Sequence, residues 1–286
     1  MDEILVTAAG GTVGSAVVAE LRAAGQPVRA GYHSADKARA AAISGQDAVA
    51  LDLTDPGTLP PALAGVETVF LVSATGQDQT AHELAVVDAA LRAGVRRVVK
   101  LSVWRADEQL TPIARLHRPA EEALERSRLA WTFLRPNFYM QNFSRQMAAS
   151  IRDRGVFAQP ESNAPISFVD ARDVARVAAA VLASDDHDGR AYDVTGPQAL
   201  TYDEAAVTLS QILRTPVRFA GLSDTEARTG MLQRGLSPFY ADALIEVSRA
   251  YRDGGADRVA TTVSDLTGRT PVSFAEFAAD HRAVFS

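Results

Sequence analysis

The chain has 286 residues, a formal net charge of −6, 47% hydrophobic and 22% charged residues, and no cysteine. The length suits one α/β core with a modest appended lobe, and an acidic balance without a basic stripe excludes a nucleic-acid surface. Missing thiols exclude disulfides, thiolate metal sites and a cysteine nucleophile.

The N-terminus runs into a strand with no signal segment, and no apolar run reaches the ~18–20 residues of a membrane span, so the expectation is a cytoplasmic protein without membrane contact. The first strand covers Ile4–Thr7 within the stretch ILVTAAGGTVGS. Small residues follow, and then a helix with Val13, Val17, Val18 and Leu21 on one face, ended by Gly25. A strand, a glycine-rich turn and a helix open a dinucleotide-binding unit: the backbone approaches a pyrophosphate closely, and the helix N-terminus offers N–H groups and a favourable dipole. Ala8, Gly11 and Gly14 occupy the three positions of GxxGxxG, with Gly10, Thr12 and Val13 completing the turn. A tight turn without a ligand is the alternative reading.

Strands at Val28–Tyr32, Asp47–Leu51, Thr68–Val72, Arg97–Ser102 and Trp131–Leu134 alternate with helices at 35–43, 59–63, 80–93 and from Pro119 to Arg126. The strands are continuous apolar runs, as expected of a parallel sheet covered on both faces. The helix over 80–93 turns Leu84, Val87, Ala90 and Leu91 inward and closes at Gly94. Beyond residue 135 the pattern loosens. Ile166–Val169 and Ala191–Val194 read as short strands around a helix over 172–182, followed by a helix over 201–213 and a strand at 217–220. A terminal amphipathic helix carries Phe274, Phe277, His281 and Phe285. The fold class is α/β, a Rossmann-type doubly wound parallel sheet with a smaller, mainly helical C-terminal lobe. Residues 1–135 form the nucleotide domain, to which 166–195 return, and 136–165 with 196–286 form the substrate lobe.

Ligands in such sheets bind beyond the carboxyl ends of the strands. At the second strand's end, Tyr32-His33-Ser34-Ala35-Asp36-Lys37 presents neutral and basic groups before any carboxylate. With His33, Ser34 and Lys37 placed for a 2′-phosphate, NADP(H) is preferred over NAD(H). Asp36 stands against this unless it serves as a first-turn helix acid. The acidic run Asp185-Asp186-His187-Asp188 reads as a solvated loop, and no metal site is expected.

In order and spacing, VTAAGGTVG (6–14), ALDLTDPGTL (50–59), VFLVSA (69–74), AALRAGVRRVVKLS (89–102), WTFLRPNFYMQNF (131–143) and ISFVDARDVA (166–175) resemble the NmrA-like branch of the atypical short-chain dehydrogenase/reductases. The resemblance implies NADP or NAD on the sheet and a helical lobe closing over the substrate. It adds Asp52, Leu53, Ser73, Ala74, Ser102 and Pro136 to the cofactor residues. The wider superfamily's Tyr-x-x-x-Lys acid/base pair is absent: Ile113 and His117 stand at its two positions. His117 is then a candidate to hold the ribose or relay a proton near neutral pH, the alternative being a helix residue without a role.

Trp104, Asn137, Phe138, Tyr139, Asn142 and Phe143 form an aromatic and amide cluster suited to a flat, conjugated substrate, with packing as the alternative for each. Tyr139 is the second candidate for proton transfer. The favoured function is NADPH-dependent hydride transfer to a quinone-like or other conjugated acceptor, whose product takes its protons from water. Two alternatives stand, an NADP(H)-sensing regulator and a redox-neutral isomerase or cyclase. Monomer and homodimer are both left open.

Overall fold

A computed structural model describes residues 3–286. Its first stretch runs β1 (Ile4–Val6), α1 (Thr12–Ala23), β2 (Val28–Tyr32), α2 (Ala35–Ile43), β3 (Ala48–Ala50), α3 (Leu59–Leu63) and β4 (Thr68–Leu71). It continues with α4 (Gln79–Ala93), β5 (Arg97–Leu101), α5 (Pro112–Glu125), β6 (Ala130–Pro136), α6 (Ala148–Arg154) and β7 (Val156–Pro160). Then follow α7 (Ala171–Leu182), β8 (Arg190–Val194), α8 (Tyr202–Leu213), β9 (Arg218–Leu222), α9 (Asp224–Gln233) and α10 (Pro238–Arg252). The last helices are α11 (Thr262–Thr267), α12 (Phe274–Asp280) and α13 (Arg282–Phe285).

The chain divides into two compact units that interleave in sequence. The first ends its opening segment at Gln109 and adds Ala114–Arg135 and Val174–Asp193; the second takes Leu110–Ile113, Pro136–Asp173 and Val194–Ser286. Residues 166–173, expected to return to the sheet, belong to the second unit.

The first unit carries a seven-stranded sheet of order β3-β2-β1-β4-β5-β6-β8, and the ladders from β3 to β6 are parallel. The central strands are buried apolar runs, and β1 and β4 expose nothing, whereas β3 is only partly buried and β8 begins exposed. One core of Leu5, Leu51, Leu59, Val69, Val86 and Val98, with Leu124 and Phe133, fills the space between sheet and helices. Helix α4 presents Gln79, Glu83, Val86, Val87 and Ala90 to this core, whereas Leu84, expected inside, is 36% exposed. It stops at Gly94, whose φ of +76° a side chain would strain. Asp185 and Asp188 are more than a solvated loop: they pair with Arg97, whose side chain is 1% exposed.

In the second unit β7 pairs with β9 as a two-stranded parallel ribbon. Ile166 and Val169 make isolated bridges to Leu200 and Tyr139 in place of the expected strand. Reciprocal capping boxes begin α8 (Thr201/Glu204), α9 (Ser223/Glu226) and α12 (Ser273/Glu276). The expected terminal helix is broken at His281 into α12 and α13. Among the described residues no helix is long and apolar enough to cross a membrane, and no cluster of acid, histidine and cysteine side chains could hold a metal.

Candidate active site

The sheet order reverses between β1 and β4, and the glycine-rich turn sits at that reversal. The buried Thr7 hydroxyl donates to Val72 O (2.6 Å) and accepts from Val72 N (2.7 Å), locking the ends of β1 and β4 together. Ala9 N donates to Gly31 O (2.8 Å) and Gly11 N to Ala8 O (2.9 Å), which fixes the turn. Ala8 pays with a φ of +47°, in the region that favours glycine. Gly14 packs so closely on the Ala8 peptide that a Cβ there would overlap the Ala8 carbonyl oxygen. Gly11 is the N-cap of α1 with no side-chain cap bond, so Thr12, Val13 and Gly14 begin a helix whose first-turn N–H groups face no capping side chain. Gly10 and Gly11 are exposed beside it, while Val13 itself is core.

Around the second strand's end, Ser34 caps α2 by accepting from Lys37 N. Asp36 lies in the first turn of α2 and pairs with Arg39 (3.4 Å). His33 Nδ1 lies 3.1 Å from Asp52 Oδ1, and that oxygen also accepts from Thr54 N and Oγ1. The Thr54 bonds, then burial working against them and His33 with them, hold the Asp52 carboxyl below its ordinary range. Asp52 therefore serves its turn, and Leu53 leans on the core. The exposed Lys37 ammonium has no ion-pair partner among the described residues.

Beyond β4 and β5 lies a buried ionic cluster that sequence reasoning missed. Lys100 Nζ is 2.9 Å from Glu83 Oε2, and both side chains are wholly buried. Ser73 Oγ donates to Glu83 Oε1 (2.7 Å), leaving Ala74 exposed after it. Burial raises the Glu83 pKa, but Lys100 and then His117 overcome it and hold the carboxyl well below its ordinary range. Lys100 Nζ lies 2.7 Å from His117 Nδ1 and the Gln79 amide nitrogen 2.9 Å from Nε2. Burial first, then the Lys100 charge, keeps His117 below its ordinary 6.5. His117 is 7% exposed, and both its ring nitrogens lie within hydrogen-bond distance of side chains of this cluster. A lone lysine inside VVKLS, a strand covered on both faces, was the available signal, since a buried ammonium needs an acid. At the end of β5 the Ser102 hydroxyl is buried without a partner.

Three of the expected substrate residues, Trp104, Phe143 and Asn137, are buried. Trp104 is 1% exposed and Phe143 not at all, and Phe143 packs edge-on to Phe157, Phe168 and Phe274 at centroid distances of 5.4, 5.4 and 4.8 Å. Asn137 spends its amide on structure. Its Nδ2 donates to Ser167 Oγ (2.8 Å) and Ala256 O (2.9 Å), and its Oδ1 accepts from Phe138 N (2.8 Å) and Tyr251 OH (2.7 Å). Pro136 is likewise buried at the end of β6. Tyr139 is half-buried, with a hydroxyl that is sealed from solvent and has no partner. Burial alone pushes its pKa well above 10. Phe138 and Asn142 line a cavity of about 880 Å³ within the second unit.

A parallel sheet that reverses order at a glycine-rich, uncapped helix start defines a dinucleotide-binding Rossmann protein. The uncapped α1 N-terminus, the unpaired Lys37 and the partnerless Ser102 hydroxyl fit a phosphorylated dinucleotide. More narrowly, the chain belongs to the NmrA-like family, whose model matches residues 1–263. It is 38% identical over 283 residues to an NAD(P)H azoreductase of Xenophilus azovorans, covering 99% of both chains. It is also 38% identical over 285 residues to a (4-alkanoyl-5-oxo-2,5-dihydrofuran-3-yl)methyl phosphate reductase of Streptomyces griseus, again covering 99% of both. Among solved structures, the NADPH-dependent quinone oxidoreductase of Escherichia coli complexed with NADPH superposes with a TM-score of 0.88 at 27% identity, over 97% of this chain and 99% of that one.

Proposed function

We propose that the protein is an NADPH-dependent reductase that passes hydride to a quinone-like or other conjugated acceptor. The observation that carries this reading is a dinucleotide turn with its donors open, combined with a substrate-side phenol, Tyr139, that no lysine or histidine activates. An acceptor of this kind needs no dedicated acid. A quinone takes one hydride and becomes an aromatic hydroquinone anion, which water protonates. Similarity to a named azoreductase and to a quinone oxidoreductase bound to NADPH supports the choice.

In this reading the first turn of α1 holds the pyrophosphate, and Lys37 with Ser34 meets the 2′-phosphate. Bound NADPH supplies the hydride. Ser102 gives its hydroxyl to the nicotinamide end, and the Lys100–Glu83–His117 cluster keeps the strand ends beneath it rigid. The test mixes protein, NADPH and a panel of quinones, azo dyes and enones, and follows the nicotinamide absorbance. Loss of absorbance with a conjugated acceptor is the expected result. Tight NADPH binding with no oxidation by any acceptor would instead favour a sensor.

A further inference from the structure

The cavity of about 880 Å³ in the second unit has an electrostatic character opposite to that of the whole chain. Three arginines line it: Arg145, Arg154 and Arg234. Its one carboxylate, Asp153, is already paired with Arg152 at 2.9 Å. The guanidinium of Arg154 donates to Ser150 Oγ (2.9 Å), and those of Arg145 and Arg234 have no ion-pair partner among the described residues. In a protein of net charge −6 this wall carries an uncompensated positive charge.

The backbone brings these side chains to one cavity from separate elements. Arg145 lies in a π-helical turn, Phe143–Met147, a rare geometry that recurs at functional sites. Arg154 ends α6 and Arg234 follows the last residue of α9. Phe138, Tyr202, Tyr251 and Met231 add aromatic and apolar surface, and Asn142 and Gln146 add amides. A volume of this size suits a two- or three-ring compound.

We infer that this cavity binds a flat aromatic compound bearing an anionic substituent (a sulfonate, carboxylate or phosphate), with Arg145 and Arg234 as the anion's ligands. Assigning that compound as the hydride acceptor rests on the reductase reading above; the anion preference itself does not. Guanidinium pairs are suited to it, because a planar fork meets two oxygens of such a group at once.

Two measurements test it. In the first, naphthalene sulfonate and naphthol are titrated calorimetrically into protein held in excess NADP⁺. The sulfonate should bind saturably and well above naphthol. The double variant Arg145→Gln/Arg234→Gln should weaken it by about tenfold or more, the loss of one or two charge-assisted bonds. No saturable binding of the sulfonate, equal binding of the two compounds, or an unchanged double variant would overturn the proposal. In the second, naphthoquinone and its sulfonate are compared as acceptors. The sulfonate should have the higher kcat/KM, and the ratio should fall about tenfold in the double variant and also with added salt. If the sulfonate binds as expected but neither these quinones nor any azo dye or enone of the panel oxidises NADPH, the reductase reading fails and the anion site stands.

Discussion

Lys100 and Glu83 meet at 2.9 Å with neither side chain exposed, joining β5 to α4 beneath the strand ends that carry Ser73 and Ser102. Removing one partner strands the other charge in the core. Glu83→Gln should therefore cost about 3–5 kcal/mol, whereas Glu83→Gln with Lys100→Met should cost less than the single change. Chemical denaturation checks this, and a double variant weaker than Glu83→Gln would refute it.

The same cluster predicts acid sensitivity. His117 has a folded pKa below its ordinary 6.5, so the unfolded chain binds the extra proton first as pH falls. Its stabilising contribution is complete above pH 6.5 and is lost below it. Glu83, depressed from 4.5 to about 2, adds a second loss between those values. The melting temperature should fall in two stages, and His117→Gln should flatten the first. Identical slopes for the two proteins between pH 6.5 and 4.5 would contradict this.

Ala8 and Gly14 constrain each other through the Ala8 carbonyl. Ala8→Gly should relieve its positive φ and stabilise the protein by about 0.5–1 kcal/mol, the left-handed penalty less the added freedom of the unfolded chain. Gly14→Ala should push α1 off the turn and reduce NADPH affinity by about tenfold or more, as the helix N-terminal donors leave register. Paired melting curves and NADPH titrations separate the two effects, and wild-type affinity in Gly14→Ala would count against the turn as the cofactor site.

Lys37, exposed and without an ion-pair partner among the described residues, is the cation proposed to meet a 2′-phosphate. Lys37→Ala should weaken NADPH by about tenfold, with a smaller effect at high salt, and change NADH little. Equal losses for both nucleotides would remove this role.

Tyr139 lacks any neighbour that would lower its pKa. Tyr139→Phe should accordingly leave turnover with a quinone within about threefold of wild type, since a working general acid contributes ~10²–10⁴-fold. A hundredfold fall with NADPH binding intact would make it the proton donor.

Much of the first unit was legible because local signals coincide there. For β2, α2 and α3 the expected bounds match those observed: a short strand, a helix capped by Ser34, and a helix with proline in its first turn. Helix α5, expected to hold Pro119–Arg126, begins at Pro112 and runs through Pro119, because a proline in a helix removes one bond without ending it. Strand β7 was missed since VFAQP gains its meaning only from β9, some sixty residues away. Choosing Leu84 over Glu83 shows the limit of an apolar-stripe rule: the inward face was decided by an ion pair with another element. The burial of Asn137, Trp104 and Phe143 was hidden for a related reason, because residue type does not tell a wall from a core.

The order in which the chain visits its two units has a consequence for biosynthesis. It passes between them five times, after residues 109, 113, 135, 173 and 193. The edge strand β8 is made only after 38 residues of the second unit, Pro136–Asp173, have emerged. A ribosome-bound chain therefore cannot complete the sheet before the second unit is under construction, and β6 must wait with an open edge that invites wrong partners. No single proteolytic cut or gene truncation would release either unit whole. The protein should yield to limited proteolysis as nicked, still-associated fragments rather than as separable domains.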